Sequence, residues 1–90
     1  MNQEDLFKHF EKAVKDVLNN PKVEVKPEAT LFDDLGLESI DLLDLSCDLE
    51  KTLGRELDFK AIYKHVTTQK GVTPNQVRVR EVVGFIAANP

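Results

Sequence analysis

The chain has 90 residues, of which 41% are hydrophobic and 31% are charged, and its formal net charge is −4 at pH 7. This length allows one small domain, spanning residues 1–90, with a single core and little room for a deep catalytic cleft. The apolar runs are too short for a membrane span of about 20 residues, and the acidic start of the chain differs from the basic start of a signal peptide. One cysteine, Cys47, cannot form an internal disulfide. We therefore expect a cytoplasmic monomer with no stable insertion into membranes.

Acidic residues concentrate in the middle of the chain. Residues 28–58 contain ten acids and two bases, residues 1–27 contain five of each, and residues 59–90 contain one acid and five bases. Such an acidic segment repels nucleic acid and anionic membranes, and it attracts protein partners with basic surfaces. A merely solvated surface explains the charge equally well, so charge alone leaves both interpretations open.

Residues 3–19 are predicted to form the first helix. Asn2 and Asp5 have the spacing of a capping box, and Asn20-Pro21 stops the helix. Apolar residues recur at helical spacing along it: Leu6, Phe7, Phe10, Ala13, Val14, Val17 and Leu18.

Residues 20–35 are predicted to form a long connection of fixed shape. The alternation over residues 23–26 is compatible with a short strand, although no nearby segment offers it a partner. Three apolar residues interrupt this otherwise polar stretch: Leu31, Phe32 and Leu35. We expect them to hold the connection against the core, so that it leads to a defined point at Gly36.

Residues 39–53 are predicted to form the second helix, and Gly54 is suited to end it. The helix begins at or just after Ser39, which places a hydroxyl at its N-terminus with carboxylates on either side. Three stripes run along the helix at spacings of three and four residues. Two are apolar and one is acidic: Leu42, Leu45, Leu49 and Leu53; Ile40, Leu43 and Cys47; and Asp41, Asp44 and Asp48.

Two further helices are predicted in the last third of the chain. Residues 59–66 form a short helix with one apolar side, residues 67–76 form a polar loop, and residues 77–88 form the last helix. The alternation over residues 77–80 is also compatible with a strand, but the apolar pattern beyond it continues with a helical period. The predicted fold is all-α, a four-helix bundle of three main helices and one short helix, with a long loop between the first two helices.

Ser39 is the residue on which a function is most readily placed. A catalytic nucleophile requires a base and an oxyanion hole. The histidines are His9 and His65, and no glycine follows the serine by two residues as in an esterase elbow. A small serine hydrolase is therefore disfavoured, and the sequence predicts no catalytic residue. The simplest structural interpretation is that Ser39 caps the second helix.

Other kinds of site have little support in the sequence. The aspartates of residues 33–48 lack the spacing of an EF-hand, so we predict no metal site. Cys47 has acidic neighbours that discourage a thiolate, and we expect it to be a small buried side chain without chemistry. The bases of the last third are dispersed and have few aromatic residues among them, so we predict no binding to nucleic acid.

The segment from Phe32 to Asp41 reads Phe-Asp-Asp-Leu-Gly-Leu-Glu-Ser-Ile-Asp. It resembles the acyl carrier protein family, whose motif is Asp-Leu-Gly followed shortly by Asp-Ser-Leu. The match is ungapped and continues through the following helix to Gly54, while the first and last helices fit less specifically. The resemblance implies a carrier rather than an enzyme, which holds acyl groups as thioesters on a 4′-phosphopantetheine arm. A separate transferase attaches that arm to Ser39.

The same resemblance implies roles for other residues. Partners with basic patches are the phosphopantetheinyl transferase and enzymes of the acyltransferase, ketosynthase or ligase type. They are expected to meet a surface at the second helix: Glu38, Ile40, Asp41, Asp44 and Asp48. An acyl pocket is expected in the core between the helices: Leu43, Leu45, Leu49 and Ile62.

The sequence departs from the family beside the serine and in its last third. Glu38 and Ile40 replace the usual Asp and Leu, and both changes are conservative. The loop of residues 67–76 is longer than in compact members. The third helix, which is usually acidic, here carries three basic residues: Lys60, Lys64 and His65. These differences favour a dedicated carrier in a specialised pathway over one for general fatty-acid synthesis.

Two alternatives remain open beside the acyl carrier. An aminoacyl or peptidyl carrier would share the modified serine, but its surface is usually less acidic, and a different residue usually precedes the serine. An unmodified acidic helical domain that binds other proteins would use Ser39 only as a helix cap.

Overall fold

The computed structural model describes residues 2–88. Within that range four α-helices follow one another: α1 (Gln3–Leu18), α2 (Ser39–Leu53), α3 (Phe59–Lys70) and α4 (Val79–Ala88). A 3₁₀ turn, Pro74–Gln76, lies between the last two. The predicted all-α, four-helix architecture with a long first connection is confirmed. None of the helices in the described range is long and apolar enough to cross a membrane.

Helix α1 is the centre of the packing. It contacts α2 and α4, while α3 packs against α4 and, less extensively, against α2. The ring of Phe10 on α1 is fully buried and stacks on the ring of Phe59 at the start of α3, with 6.4 Å between centroids. The predicted cap is present, since the Asp5 backbone N–H donates to Asn2 Oδ1 over 2.8 Å.

The connection between α1 and α2 is held against the core, as predicted. Leu31 and Leu35 are buried, and Phe32 packs at the edge of the core. The idea that residues 23–26 form a strand is wrong. The extended pairing lies further along, as a single bridge between Thr30 and Arg78.

That bridge also explains why α4 begins at Val79, two residues after the predicted start at residue 77. The Leu31 N–H donates to the Val77 carbonyl over 3.3 Å, so residue 77 is extended rather than helical. The first N–H groups of α4, on Val79 and Arg80, lack partners within the helix and donate instead to the carbonyls of Ala29 and Pro27, over 2.9 and 2.8 Å. The alternation over residues 77–80 therefore marks one bridge before a helix.

Helix α3 is longer than predicted. It has 12 residues against 10 in α4, so it is not the short helix of the bundle, and residues 67–70 are its last turn rather than a loop. The side chains of that turn are polar, and those of residues 68–70 are exposed, so the turn left no apolar signal in the sequence. Gly71 ends the helix with φ at 66°, and its N–H donates to the Thr67 carbonyl over 2.9 Å.

Candidate functional site

Ser39 is the first residue of α2 and its side chain is exposed. The capping residue is Glu38, with extended backbone angles (φ −107°, ψ 166°), so the prediction that Ser39 caps the helix is wrong. The Glu38 N–H donates to Asp41 Oδ2 over 2.8 Å, which closes the first turn without the serine. Within residues 2–88, no hydrogen bond uses the Ser39 hydroxyl, which is therefore available for reaction with a partner from solution.

The segment of residues 30–37, here called the attachment loop, has a fixed shape. The Thr30 N–H donates to Asp34 Oδ2 over 2.8 Å, and the Asp34 N–H donates to Thr30 Oγ1 over 3.0 Å. These interactions with Thr30, the backbone one first, lower the pKa of Asp34. Gly36 adopts a φ of 75°, which favours glycine, and its N–H donates to the Phe32 carbonyl over 3.1 Å. The loop thus brings the chain to Ser39 from a fixed direction.

Two large apolar side chains beside Ser39 point into solvent. Ile40 is 66% exposed and Leu43 is 69% exposed. The prediction that Leu43 lines a buried acyl pocket is therefore wrong, as is the prediction that Cys47 is buried. Both errors have one cause. Residues 40, 43 and 47 share a helix face that lies opposite the buried face of Leu45 and Leu49, and within residues 2–88 this face stays exposed to solvent.

The acidic residues predicted to meet partners lie beside this apolar face. Glu38 and Asp44 are exposed, while Asp41 and Asp48 are half-buried. Asp16, in the last part of α1, joins them, because it lines the same shallow groove as Asp44 and Asp48. Asp16 carries no signal in the sequence, since its neighbours are acids more than 25 residues away along the chain and only the packing of α1 against α2 brings them together.

The other members of the predicted acyl pocket lie in the core. Leu45 and Leu49 are fully buried and Ile62 is 3% exposed. They belong to one continuous hydrophobic cluster that includes residues of all four helices and of the attachment loop. The contact between α2 and α3 is less extensive than those of α1 with α2, α1 with α4 and α3 with α4.

Within residues 2–88, the residues that serine hydrolysis or metal binding would need are not assembled at Ser39. The ring of His65 packs against Phe85 of α4 with 4.8 Å between centroids, and His9 is half-buried on α1. Across residues 2–88 neither histidine is hydrogen-bonded to Ser39, and no group of three or more His, Cys, Asp or Glu residues is placed to hold a metal ion.

Comparison with known proteins identifies the family. Residues 9–70 match the family described as "Phosphopantetheine attachment site". An acyl carrier protein of Rubrobacter xylanophilus is 31% identical over 72 residues, covering 80% of this chain and 89% of that protein. The chain belongs to the acyl carrier protein family.

Two further acyl carrier proteins are similar to this family member, and one of them covers almost the whole chain. One from Coprothermobacter proteolyticus is 28% identical over 89 residues, which is 99% of this chain and 95% of the relative. One from Thermotoga maritima is 35% identical over 57 residues, which is 63% of this chain and 70% of the relative. No solved structure matches the chain significantly.

Membership of the acyl carrier protein family fixes the kind of function and the cofactor. Proteins of this family are carriers rather than enzymes, and they interact with transferases and acyl-handling enzymes. The cofactor is 4′-phosphopantetheine. The site fits this group, because a phosphodiester requires an exposed hydroxyl, and the positive end of a helix dipole favours the negative charge of a phosphate.

Proposed function

We propose that this chain carries acyl intermediates as thioesters on a phosphopantetheine arm attached to Ser39, in fatty acid, polyketide or related specialised biosynthesis. The observation that carries the proposal is the free, exposed hydroxyl of Ser39 at the start of α2. The neighbouring Glu38 and Asp41 complete the helix cap, so modification of Ser39 would leave the first turn of the helix intact. We further propose that residues 1–90 form one carrier domain that acts in the cytoplasm.

The residues around Ser39 have separate tasks in this proposal. The attachment loop holds Ser39 at a fixed place, because Thr30 and Asp34 bond to each other and Gly36 bonds back to Phe32. The N-terminus of α2 stabilises the phosphodiester. The thiol at the end of the arm supplies the thioester chemistry. The exposed position leaves the arm free to reach the active sites of other enzymes.

Partner enzymes are proposed to dock on the outer surface of α2. The acids there, Glu38, Asp41, Asp44 and Asp48, would attract the basic patches of the transferase and of acyl-handling enzymes. Ile40, at 66% exposed, would pack against apolar residues at the centre of such an interface. Leu43, at 69% exposed, belongs to this docking surface and not to the cargo pocket.

The cargo is proposed to enter the core between α2 and α3. Leu45, Leu49 and Ile62 supply apolar walls there, and the limited contact between the two helices favours opening at this place. The outer face of α3 carries exposed basic residues that distinguish this chain from acidic members of the family: Lys60, Lys64 and His65. This difference supports dedicated partners in a specialised pathway.

The attachment site is tested with coenzyme A, a promiscuous phosphopantetheinyl transferase and intact-mass measurement. In that reaction the Ser39 oxygen bonds to the phosphopantetheinyl phosphorus, adenosine 3′,5′-bisphosphate leaves, and the hydroxyl proton passes to a base of the transferase. We expect one added group on the unsubstituted chain and on Ser46→Ala, and none on Ser39→Ala. Ser46 is the matched control because the chain has two serines.

Two outcomes would contradict the proposal. If Ser39→Ala still gains the mass of a phosphopantetheine group, the arm is attached to another residue. No increment in any variant would favour the unmodified interaction domain instead.

A further inference from the structure

Within residues 2–88, the core holds a tyrosine hydroxyl that makes no hydrogen bond. Tyr63 on α3 is 8% exposed, and within residues 2–88 its phenolic oxygen is buried without a hydrogen-bond partner. A buried hydroxyl without a partner costs free energy of folding, whereas a phenylalanine would fill the same space without that cost. Burial also raises the pKa of Tyr63, so the phenol stays protonated and able to donate.

Tyr63 lies next to the attachment loop. Its ring packs against the ring of Phe32 with 5.5 Å between centroids. Phe32 belongs to the turn that presents Ser39, since its carbonyl accepts from the Gly36 N–H and the Leu37 N–H bonds to the Leu31 carbonyl. Tyr63 therefore lies beside the attachment loop, and it follows the proposed pocket residue Ile62 along α3.

A second buried hydroxyl lies on α2, which contacts α3 and forms the other side of the proposed cargo pocket. Ser46 of α2 is 9% exposed and follows Ser39 by seven residues, so both lie on one side of the helix. Glu50, one turn further on that side, accepts a hydrogen bond from the Leu57 N–H over 2.8 Å, which shows that this side of α2 faces the connection to α3. The other buried hydroxyl residue, Thr30, is already bonded to Asp34.

We propose that the cargo of this carrier is an acyl group bearing a keto or hydroxyl oxygen close to its thioester, and that Tyr63 hydrogen-bonds to that oxygen in the core. The proposal rests on attachment at Ser39 and on entry of the cargo between α2 and α3. A wholly saturated chain offers the Tyr63 hydroxyl no acceptor beyond the carbonyl of the thioester itself. An oxygen near the thioester supplies the missing acceptor.

The test compares Tyr63→Phe with the unsubstituted protein, each loaded on Ser39 with octanoyl, 3-oxooctanoyl or 3-hydroxyoctanoyl pantetheine. The measurement is the rate at which hydroxylamine cleaves the thioester, because a sheltered cargo reacts more slowly. For each cargo the ratio of the variant rate to the unsubstituted rate is taken, so that the intrinsic reactivity of each thioester cancels. We expect a ratio near one for octanoyl and about 2- to 10-fold faster cleavage for the oxygenated cargoes in the variant.

A further experiment distinguishes the cargo from the phosphopantetheine arm, which also carries polar groups. The arm is attached without an acyl group and its thiol is alkylated. We expect equal alkylation rates in both proteins. A rate that changes with Tyr63→Phe would identify the arm as the partner of the hydroxyl and overturn the proposal.

The remaining outcomes are also decisive. Equal cleavage ratios for saturated and oxygenated cargoes on a fully loaded protein would overturn the cargo assignment alone, whereas absence of loading on Ser39 would overturn the proposed function as well. The unsubstituted protein supplies a measurement independent of the variant's folding. Its protection of the thioester, relative to the free pantetheine thioester of the same acyl group, should be greater for 3-oxooctanoyl than for octanoyl.

Discussion

Asp41 has two tasks that a matched pair of substitutions can separate. Its side chain accepts the Glu38 N–H over 2.8 Å at the start of α2, and it also contributes charge to the acidic docking surface. Asp44 lies one turn later on the same helix, is exposed, and takes part in no hydrogen bond from its side chain within residues 2–88. Asp41→Ala and Asp44→Ala therefore remove the same charge but only one removes the cap.

The expected difference in stability follows from the local interactions. Loss of a capping bond costs typically about 1 kcal/mol, and loss of an acid from the first helical turn costs a further ~0.5 kcal/mol through the helix dipole. Both variants recover about 0.5 kcal/mol because alanine is the better helix former. Asp41→Ala should therefore destabilise the domain by about 1 kcal/mol and lower Tm by roughly 4–8 °C. Asp44→Ala should leave Tm unchanged or slightly raised.

Two assays check the prediction. Thermal unfolding followed by circular dichroism measures the stability of each variant, and loading by the transferase measures docking. Both variants should load more slowly than the unsubstituted protein at low ionic strength, and the difference should shrink as salt screens the acidic surface. Equal Tm values for the two variants would refute the capping argument. Loading rates that do not depend on salt would refute electrostatic attraction of the transferase.

Two further predictions concern the core and the attachment loop. Leu45→Ala should destabilise the domain by about 2–5 kcal/mol in urea unfolding, because Leu45 is fully buried. Leu43 is 69% exposed, so Leu43→Ala should change the free energy of unfolding by less than about 0.5 kcal/mol. A large loss of stability for Leu43→Ala would place that residue in the core after all. The lowered pKa of Asp34 means that its carboxylate stabilises the fold above the ordinary pKa of an aspartate and that this contribution disappears as the pH falls below about 4. Asp34→Asn should therefore lose less stability than the unsubstituted protein between pH 5 and pH 3, and parallel pH profiles would contradict this role for the bonds with Thr30.

The sequence was most informative where local signals agreed. Helix α2 begins at Ser39 and ends at Leu53, as predicted, because an acid at Glu38 and one at Asp41 supply the cap, and Gly54 supplies the left-handed conformation after the last turn. The apolar residues of the attachment loop were also informative, since a polar loop that contains Leu31 and Leu35 has to bury them somewhere. The motif around Ser39 then led to the correct family.

The errors arose where distant parts of the chain decide the structure. The start of α4 depends on carbonyls of residues 27 and 29, which no local pattern reveals. The end of α3 was missed because its last turn is polar and is defined only by Gly71. The burial of Leu43 was predicted wrongly because two apolar stripes on one helix look alike in the sequence, and only the positions of α1 and α3 determine which of them is covered.

The uncovered stripe bears on how the proposed carrier would exchange partners. Ile40 and Leu43 would each add about 1.5–3 kcal/mol to the free energy of unfolding if they were fully buried. The fold lacks this contribution because both side chains are exposed to solvent. Two such side chains form a small apolar contact, too small to hold a partner permanently. The surrounding acids accelerate encounter more than they strengthen the complex. A surface of this kind would favour fast association and ready release, which is what a carrier needs if it is loaded by one enzyme and delivers its cargo to another.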